Sequence, residues 1–231
     1  MRTIILHYHL FKNAGTSLDR LLQRTVPDGW VTREFTGTHN TDAVETWIKE
    51  TPEAVAFSSH TMMGPLPRID GVRIVSVMLL RDPIARIRSA YRFERHQKAD
   101  GFGATLAKHT DLEGYVRVRL ALPNDRQCRN FQTFRLAALL PGPEPEVARA
   151  TQALEQLSLV GRVERFSDFL ADLYGLIAET MPAFKADDAT RENVSNKKDL
   201  AETPGLMALL QEVNQDDYAV LARLERREPL E

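Results

Sequence analysis

Short apolar runs alternate with helical patterns along this chain. The first run, Thr3–His9, is β-branched at its start and breaks into a polar loop, which predicts a buried strand. Behind it Leu18, Leu21 and Leu22 recur at helical spacing, predicting a helix over Thr16–Arg24 with Thr16 or Ser17 able to cap it. Ala54–Ser58 and Val72–Leu80 predict two more strands. The second, "VRIVSVMLL", is almost continuously apolar, as a strand covered on both faces is. Pro83 then stands where a helix favours it, and Ile84, Ile87, Tyr91 and Arg95 follow at helical spacing. Leu157–Gly161 predicts one more central strand before a helix that begins near Phe166.

Strands alternating with helices predict an α/β fold, a three-layer sandwich with a mostly parallel central sheet between helices. The 231 residues fit a single domain over the whole length. In such sheets ligands collect beyond the carboxyl ends of the strands. Three polar residues fall there: Lys12 after the first strand, His60 after Ala54–Ser58, and Arg81 after "VMLL". Gln97–Asp111, with Gly101 and Gly103, reads as a mobile loop bordering the crevice. From Leu112 to about Gln156 the pattern is helical, broken at Pro141-Gly142-Pro143. Pro182–Pro204 is polar and irregular, a stretch long enough to be a functional loop.

Composition narrows the partners. Lys and Arg number 30 against 32 Asp and Glu, so no global field draws nucleic acid or an acidic membrane, and an anion site must be a local cluster. The single cysteine, Cys128, excludes an internal disulfide and fits a reducing compartment. No apolar run approaches the roughly 20 residues that span a bilayer, and the N-terminal run carries His7 and His9 without a small-residue cleavage site. The expectation is a cytoplasmic protein without stable membrane insertion.

The loop Phe11-Lys12-Asn13-Ala14-Gly15-Thr16-Ser17 joins strand to helix, an arrangement that turns backbone N–H groups and a positive helix end toward a bound anion. Gly15 permits close approach, Thr16 and Ser17 add hydroxyls, and Lys12 adds a full charge. The lysine precedes the glycine, so the spacing of a triphosphate loop, with its late lysine and magnesium-binding hydroxyl, is absent. Read by itself, the segment is equally a tight turn with a solvated lysine. The second motif is "LLRDPIARIRSAYR", where Arg81 offers a planar fork and Ser89 a hydroxyl for a phosphate monoester. Its plain alternative is an Arg81–Asp82 pair followed by an amphipathic helix with solvated Arg86, Arg88 and Arg92.

Together the two motifs resemble the P-loop-like sulfotransferases that use 3′-phosphoadenosine 5′-phosphosulfate (PAPS). The likeness is to their carbohydrate branch, sulfotransferase family 2, related to the heparan sulfate 2-O-sulfotransferases. That family opens on a strand followed by K-x-A/G-G-T-S, here Lys12 to Ser17. Its second hallmark, L-R-D-P-x-x-R-x-x-S-x-Y, runs here from Leu80 through Arg86, Ser89 and Tyr91. Looser echoes follow in "NDRQCRNFQTFRL", "LVGRVERFSDFL", "RENVSNKK" and "DDYAVL", so the resemblance spans most of the chain. It implies sulfuryl transfer from PAPS, as co-substrate and without a metal, to a hydroxyl of a carbohydrate or glycolipid. Lys12 would meet the bridging oxygen between phosphate and sulfate, where charge builds as the bond breaks. Asn13, Ala14, Gly15, Thr16 and Ser17 would hold the 5′-phosphate, and Arg81 and Ser89 the 3′-phosphate. Lys197 in the late loop would close over the phosphates. His60, in "FSSHTMMG", matches the histidine that serves the family as general base.

Two other readings stay open: a P-loop kinase of a small metabolite, and a nucleotide-binding module without chemistry. His7 and His9 share one face of the first strand and are expected to bond within the fold, with His9 close enough to the loop to be a minor alternative base. His39 reads as a turn residue or an acceptor-site residue, and His96 and His109 as solvated. The acceptor is expected in a shallow crevice bordered by residues near 97–111 and 182–200.

Overall fold

The computed structural model describes residues 1–184 and 203–226. Five strands, β1 (Arg2–Tyr8), β2 (Trp30–Thr32), β3 (Ala56–Ser59), β4 (Val72–Leu80) and β5 (Leu159–Arg162), form one sheet in the order β2-β3-β1-β4-β5. Every pairing is parallel. β1 is central and pairs with β3 on one side and β4 on the other. The chain therefore reverses its direction of winding at β1, and a crevice opens beyond the carboxyl ends there.

Side chains alternate across β1. Ile4, Leu6 and Tyr8 face a core closed by α2 (Thr41–Glu50), α6 (Phe131–Ala137), α7 (Glu146–Ala153) and α10 (Gln215–Glu225). Ile5 faces the opposite core, closed by α1 (Gly15–Thr25) and α8 (Phe166–Ile177). The sheet is thus covered on both faces, as the apolar "VRIVSVMLL" requires. A third cluster joins α3 (Pro83–His96) and α4 (Phe102–His109) to α5 (Leu112–Ala121) and α9 (Pro204–Val213). Among the described residues no helix is long and apolar enough to cross a membrane.

Several expectations change. The Gln97–Asp111 segment is not merely a loop: α4 fills its centre, burying Ala104 and Ala107, and Gly103 lies where a Cβ would strike the Glu94 carboxylate and the Arg119 guanidinium. Arg86 is not solvated but fully buried, its guanidinium 4.4 Å from the Phe131 ring centre and donating to the Gln127 carbonyl. β2 is an additional edge strand of three residues. Lys197 and the rest of 185–202 lie outside the described residues.

Candidate functional site

A cavity of about 310 Å³ opens at the carboxyl edge of the sheet, lined by Lys12, Gly15, Ser17, His60, Arg81 and Ser89 among others. All five strands feed this edge. β1 leads into the 12–17 loop, β2 into Glu34, β3 into His60, β4 into Arg81, and β5 into Val163 and Glu164.

The loop has an unusual backbone for its sequence. Lys12 and Ala14, neither of them glycine, both take left-handed conformations, with φ of 64° and 58°. Such residues cost about 1 kcal/mol each and persist where surrounding structure holds them. The holding groups are identifiable. Arg81 Nη1 donates to the Lys12 carbonyl at 3.1 Å, and Asn13 Nδ2 donates to the Leu79 carbonyl and to Gln132 Oε1, both at 2.8 Å. Ala14, as N-cap, offers no side chain to the first N–H groups of α1; the Ser17 N–H donates to the Ala14 carbonyl at 3.0 Å, while Gly15 and Thr16 line the cavity.

Asn13 departs from its expected place. Its side chain is buried and anchors the loop from beneath, while Ala14, Gly15, Thr16 and Ser17 line the cavity. Lys12 Nζ rests 4.4 Å from the centre of the half-exposed Phe93 ring, which also lines the cavity. Burial, and then the neighbouring Arg81, hold the Lys12 ammonium below its ordinary value. Burial likewise lowers Arg81, against the raising charges of Glu164 and Asp82. Among the described residues Lys12 and Arg81 thus face one hollow, with Glu164 on its lining partly offsetting Arg81. Asp82 itself accepts from the Ala85 N–H at 2.7 Å and caps α3, ahead of Pro83. Ser89, on α3, lines the cavity with Arg81, so the strand end and the helix do converge.

His60 is half exposed, and its Nδ1 lies 2.8 Å from Glu34 Oε1. A carboxylate only accepts, so the proton is on Nδ1 and the basic lone pair is on Nε2. Burial alone would raise the Glu34 carboxyl. Hydrogen bonds from the Thr61 hydroxyl and from His60 outweigh it and leave Glu34 below its ordinary value. Glu34 is a residue that pattern reading missed: a lone acid in the polar "TREFTGT" carries no periodic signal.

His7 and His9 bond within the fold as expected, and to the same group. Their Nδ1 atoms lie 2.7 and 2.8 Å from the two oxygens of Asp19 on α1. Burial would raise Asp19, but the His7 charge and the hydrogen bonds from both imidazoles hold it well below the usual carboxylate range. His39 lines a different hollow, with Asp42, Arg68 and Ser158.

No family model matches the chain. It is 37% identical over 234 residues to an uncharacterized protein of Archaeoglobus fulgidus, an alignment covering 96% of this chain and 92% of that protein. The chain belongs to that protein's family. The match takes in almost the whole of both chains. It brings no reaction with it, and the chemistry of the cavity rests on its own geometry.

None of the residues 97–111 line the cavity. Its rim on that side is instead Phe93, and on the other Val163, Glu164 and Phe166. Gln132, quoted above only within a loose echo, proves to be the junction of the site. Its Oε1 accepts from Asn13 Nδ2 and from the Arg81 N–H, and its Nε2 donates to the Arg81 carbonyl at 2.8 Å.

Proposed function

We propose that this protein is a sulfotransferase that moves a sulfuryl group from PAPS to a hydroxyl of a carbohydrate or glycolipid. The observation that carries this reading is the convergence of Lys12, Arg81, Ser89 and His60 on one cavity, with His60 held by Glu34. The residues fit such a donor. An uncapped helix start and two cations suit a group with several negative charges, and the early lysine suits a phosphosulfate better than a triphosphate.

In this mechanism Gly15, Thr16 and Ser17 hold the 5′-phosphate, and Arg81 and Ser89 the 3′-phosphate. The acceptor oxygen attacks sulfur in line, the bond from sulfur to the bridging oxygen breaks, and that oxygen leaves with the electron pair. Lys12 neutralises the charge growing on it. The acceptor's proton passes to His60 Nε2, and Glu34 stabilises the imidazolium through Nδ1–H. Lys12 must leave its contact with Phe93 to do this, and an arriving anion is a stronger partner than an aromatic face.

The test is twofold. Adenosine 3′,5′-bisphosphate should raise the melting temperature by mass action, and ATP with magnesium should not. Labelled sulfate from PAPS should then pass to an oligosaccharide or glycolipid hydroxyl. Stabilisation and hydrolysis with ATP and magnesium alone would replace the proposal with the kinase reading. Nucleotide binding with no transfer to any acceptor would favour the binding module.

A further inference from the structure

His9 lines the same cavity, yet the transfer chemistry above leaves it without work. Its ring is fixed on three sides. Nδ1 lies 2.8 Å from Asp19 Oδ2, and the ring centre lies 3.9 Å from that of His60 at a 31° tilt. The third side is Gly15, where a Cβ would fall 2.1 Å from His9 Cδ2 and 2.4 Å from Nε2. Gly15 is therefore required to seat this imidazole, whatever else its small size permits.

Asp19 claims the Nδ1 proton, so Nε2 is the nitrogen left against the start of α1. There it adjoins Gly15, at a helix start without a side-chain cap, where an anion is favoured. A neutral ring presents a lone pair at this point, which repels an anionic oxygen. A protonated ring presents a charge-assisted donor. The titratable groups facing His9 are Asp19 from α1, His7 from β1, His60 after β3 and Glu34 after β2. Burial is the dominant influence and, with the His7 charge, holds His9 below its ordinary value despite Asp19 and Glu34. Burial thus favours the neutral ring, and Asp19 already stands behind it as the counter-charge to a protonated one.

We propose that His9 is a proton-dependent anion ligand: an anion seated on the 12–17 loop draws a proton from solvent onto His9 Nε2, which then donates to it. This rests on the reading that the loop holds an anionic group.

Titration calorimetry with inorganic sulfate near pH 7, in buffers of different ionisation enthalpy, tests it. Sulfate has no proton to exchange at this pH, so any uptake belongs to the protein. Binding should take up close to one proton in the unaltered chain and in His60→Gln, and none in His9→Gln. Affinity should fall by up to about tenfold per pH unit on the alkaline side, and His9→Gln should flatten that slope. Imidazole nitrogen NMR of the unaltered chain should show His9 Nε2 gaining a proton as sulfate is added, a readout independent of how well the variant folds. Binding without proton uptake, or uptake that persists in His9→Gln, overturns the proposal and leaves the donor reading standing. If neither sulfate nor adenosine 3′,5′-bisphosphate binds, both fall.

Discussion

Gln132 Oε1 accepts from Asn13 Nδ2 at 2.8 Å, and the same oxygen accepts from the Arg81 backbone N–H at 2.7 Å. One side-chain atom thus joins the loop after β1 to the end of β4. Behind it, the buried Asp217 accepts from the Thr133 N–H and hydroxyl at 2.7 and 2.8 Å, fixing the start of α6 that carries Gln132. Gln132→Leu removes the acceptor of the Arg81 N–H and one of the two acceptors of Asn13 Nδ2, and should cost about 2–4 kcal/mol. Denaturant unfolding measures that loss. Calorimetry should find nucleotide affinity falling as well, because the loop loses its register. Unchanged affinity in the folded variant would show that Gln132 supports stability alone.

Lys12→Ala should lower turnover about 10²–10³-fold while changing affinity for adenosine 3′,5′-bisphosphate less than tenfold. The lysine's proposed work lies on the bond that breaks, which the product nucleotide no longer contains. Steady-state kinetics beside calorimetry separate the two effects, and equal losses in both would assign Lys12 to binding only.

His60→Ala should cost about 10²–10⁴-fold in turnover, the usual range for a lost general base. Glu34→Ala removes only the group that fixes the tautomer, so it should cost less. The double variant should be no worse than His60→Ala, because Glu34 acts through the histidine. Additive losses would give Glu34 a role of its own.

Ala14→Gly should stabilise the protein by about 0.5–1 kcal/mol, because it releases a left-handed alanine at the cost of some unfolded-state entropy. Thermal melting checks the sign. A destabilised variant would mean that the alanine methyl packs more favourably than its backbone is strained.

Asp19 and His9 both make the fold weaker in acid. Both have folded values below their unfolded ones. The stability each contributes is present above the unfolded value and is lost as pH falls toward the folded one. His9 begins to weaken the fold below about pH 6.5, and Asp19 below about pH 4. Asp19→Asn can accept from only one of the two imidazoles, so it should cost about 2–3 kcal/mol at neutral pH. It should also flatten the fall in melting temperature below pH 4. A parallel acid profile in wild type and variant would remove Asp19 from that account.

Much of this was legible in the sequence. Val72–Leu80 is read to its end residues because a strand covered on both faces is apolar throughout. The helix from Pro83 announces itself by its proline and the spacing of Ile84, Ile87 and Tyr91, while the Asp82 cap emerges only from the structure. The edge strand β2 was not legible: three residues, half exposed, make no period. Gly101 and Gly103 suggested a loop where α4 stands, since pattern cannot show that Gly103 serves close contact with Glu94 and Arg119. Arg86 misled for a related reason. A charged letter among charged letters reads as surface, and only tertiary contact reveals it beneath Phe131. Glu34 and Gln132 reach the site from segments far apart in sequence from the residues they hold, which no local pattern encodes.

Asp217 gives the site an order in time as well as in space. The loop at residues 12–17 leaves the ribosome early, but the side chain that braces it, Gln132, is itself fixed by a residue on α10 some two hundred positions later. A nascent chain therefore carries an unbraced loop for most of its synthesis. The brace on the loop is complete only once α10 has docked, so the geometry of the proposed site is among the last features of the fold to be fixed.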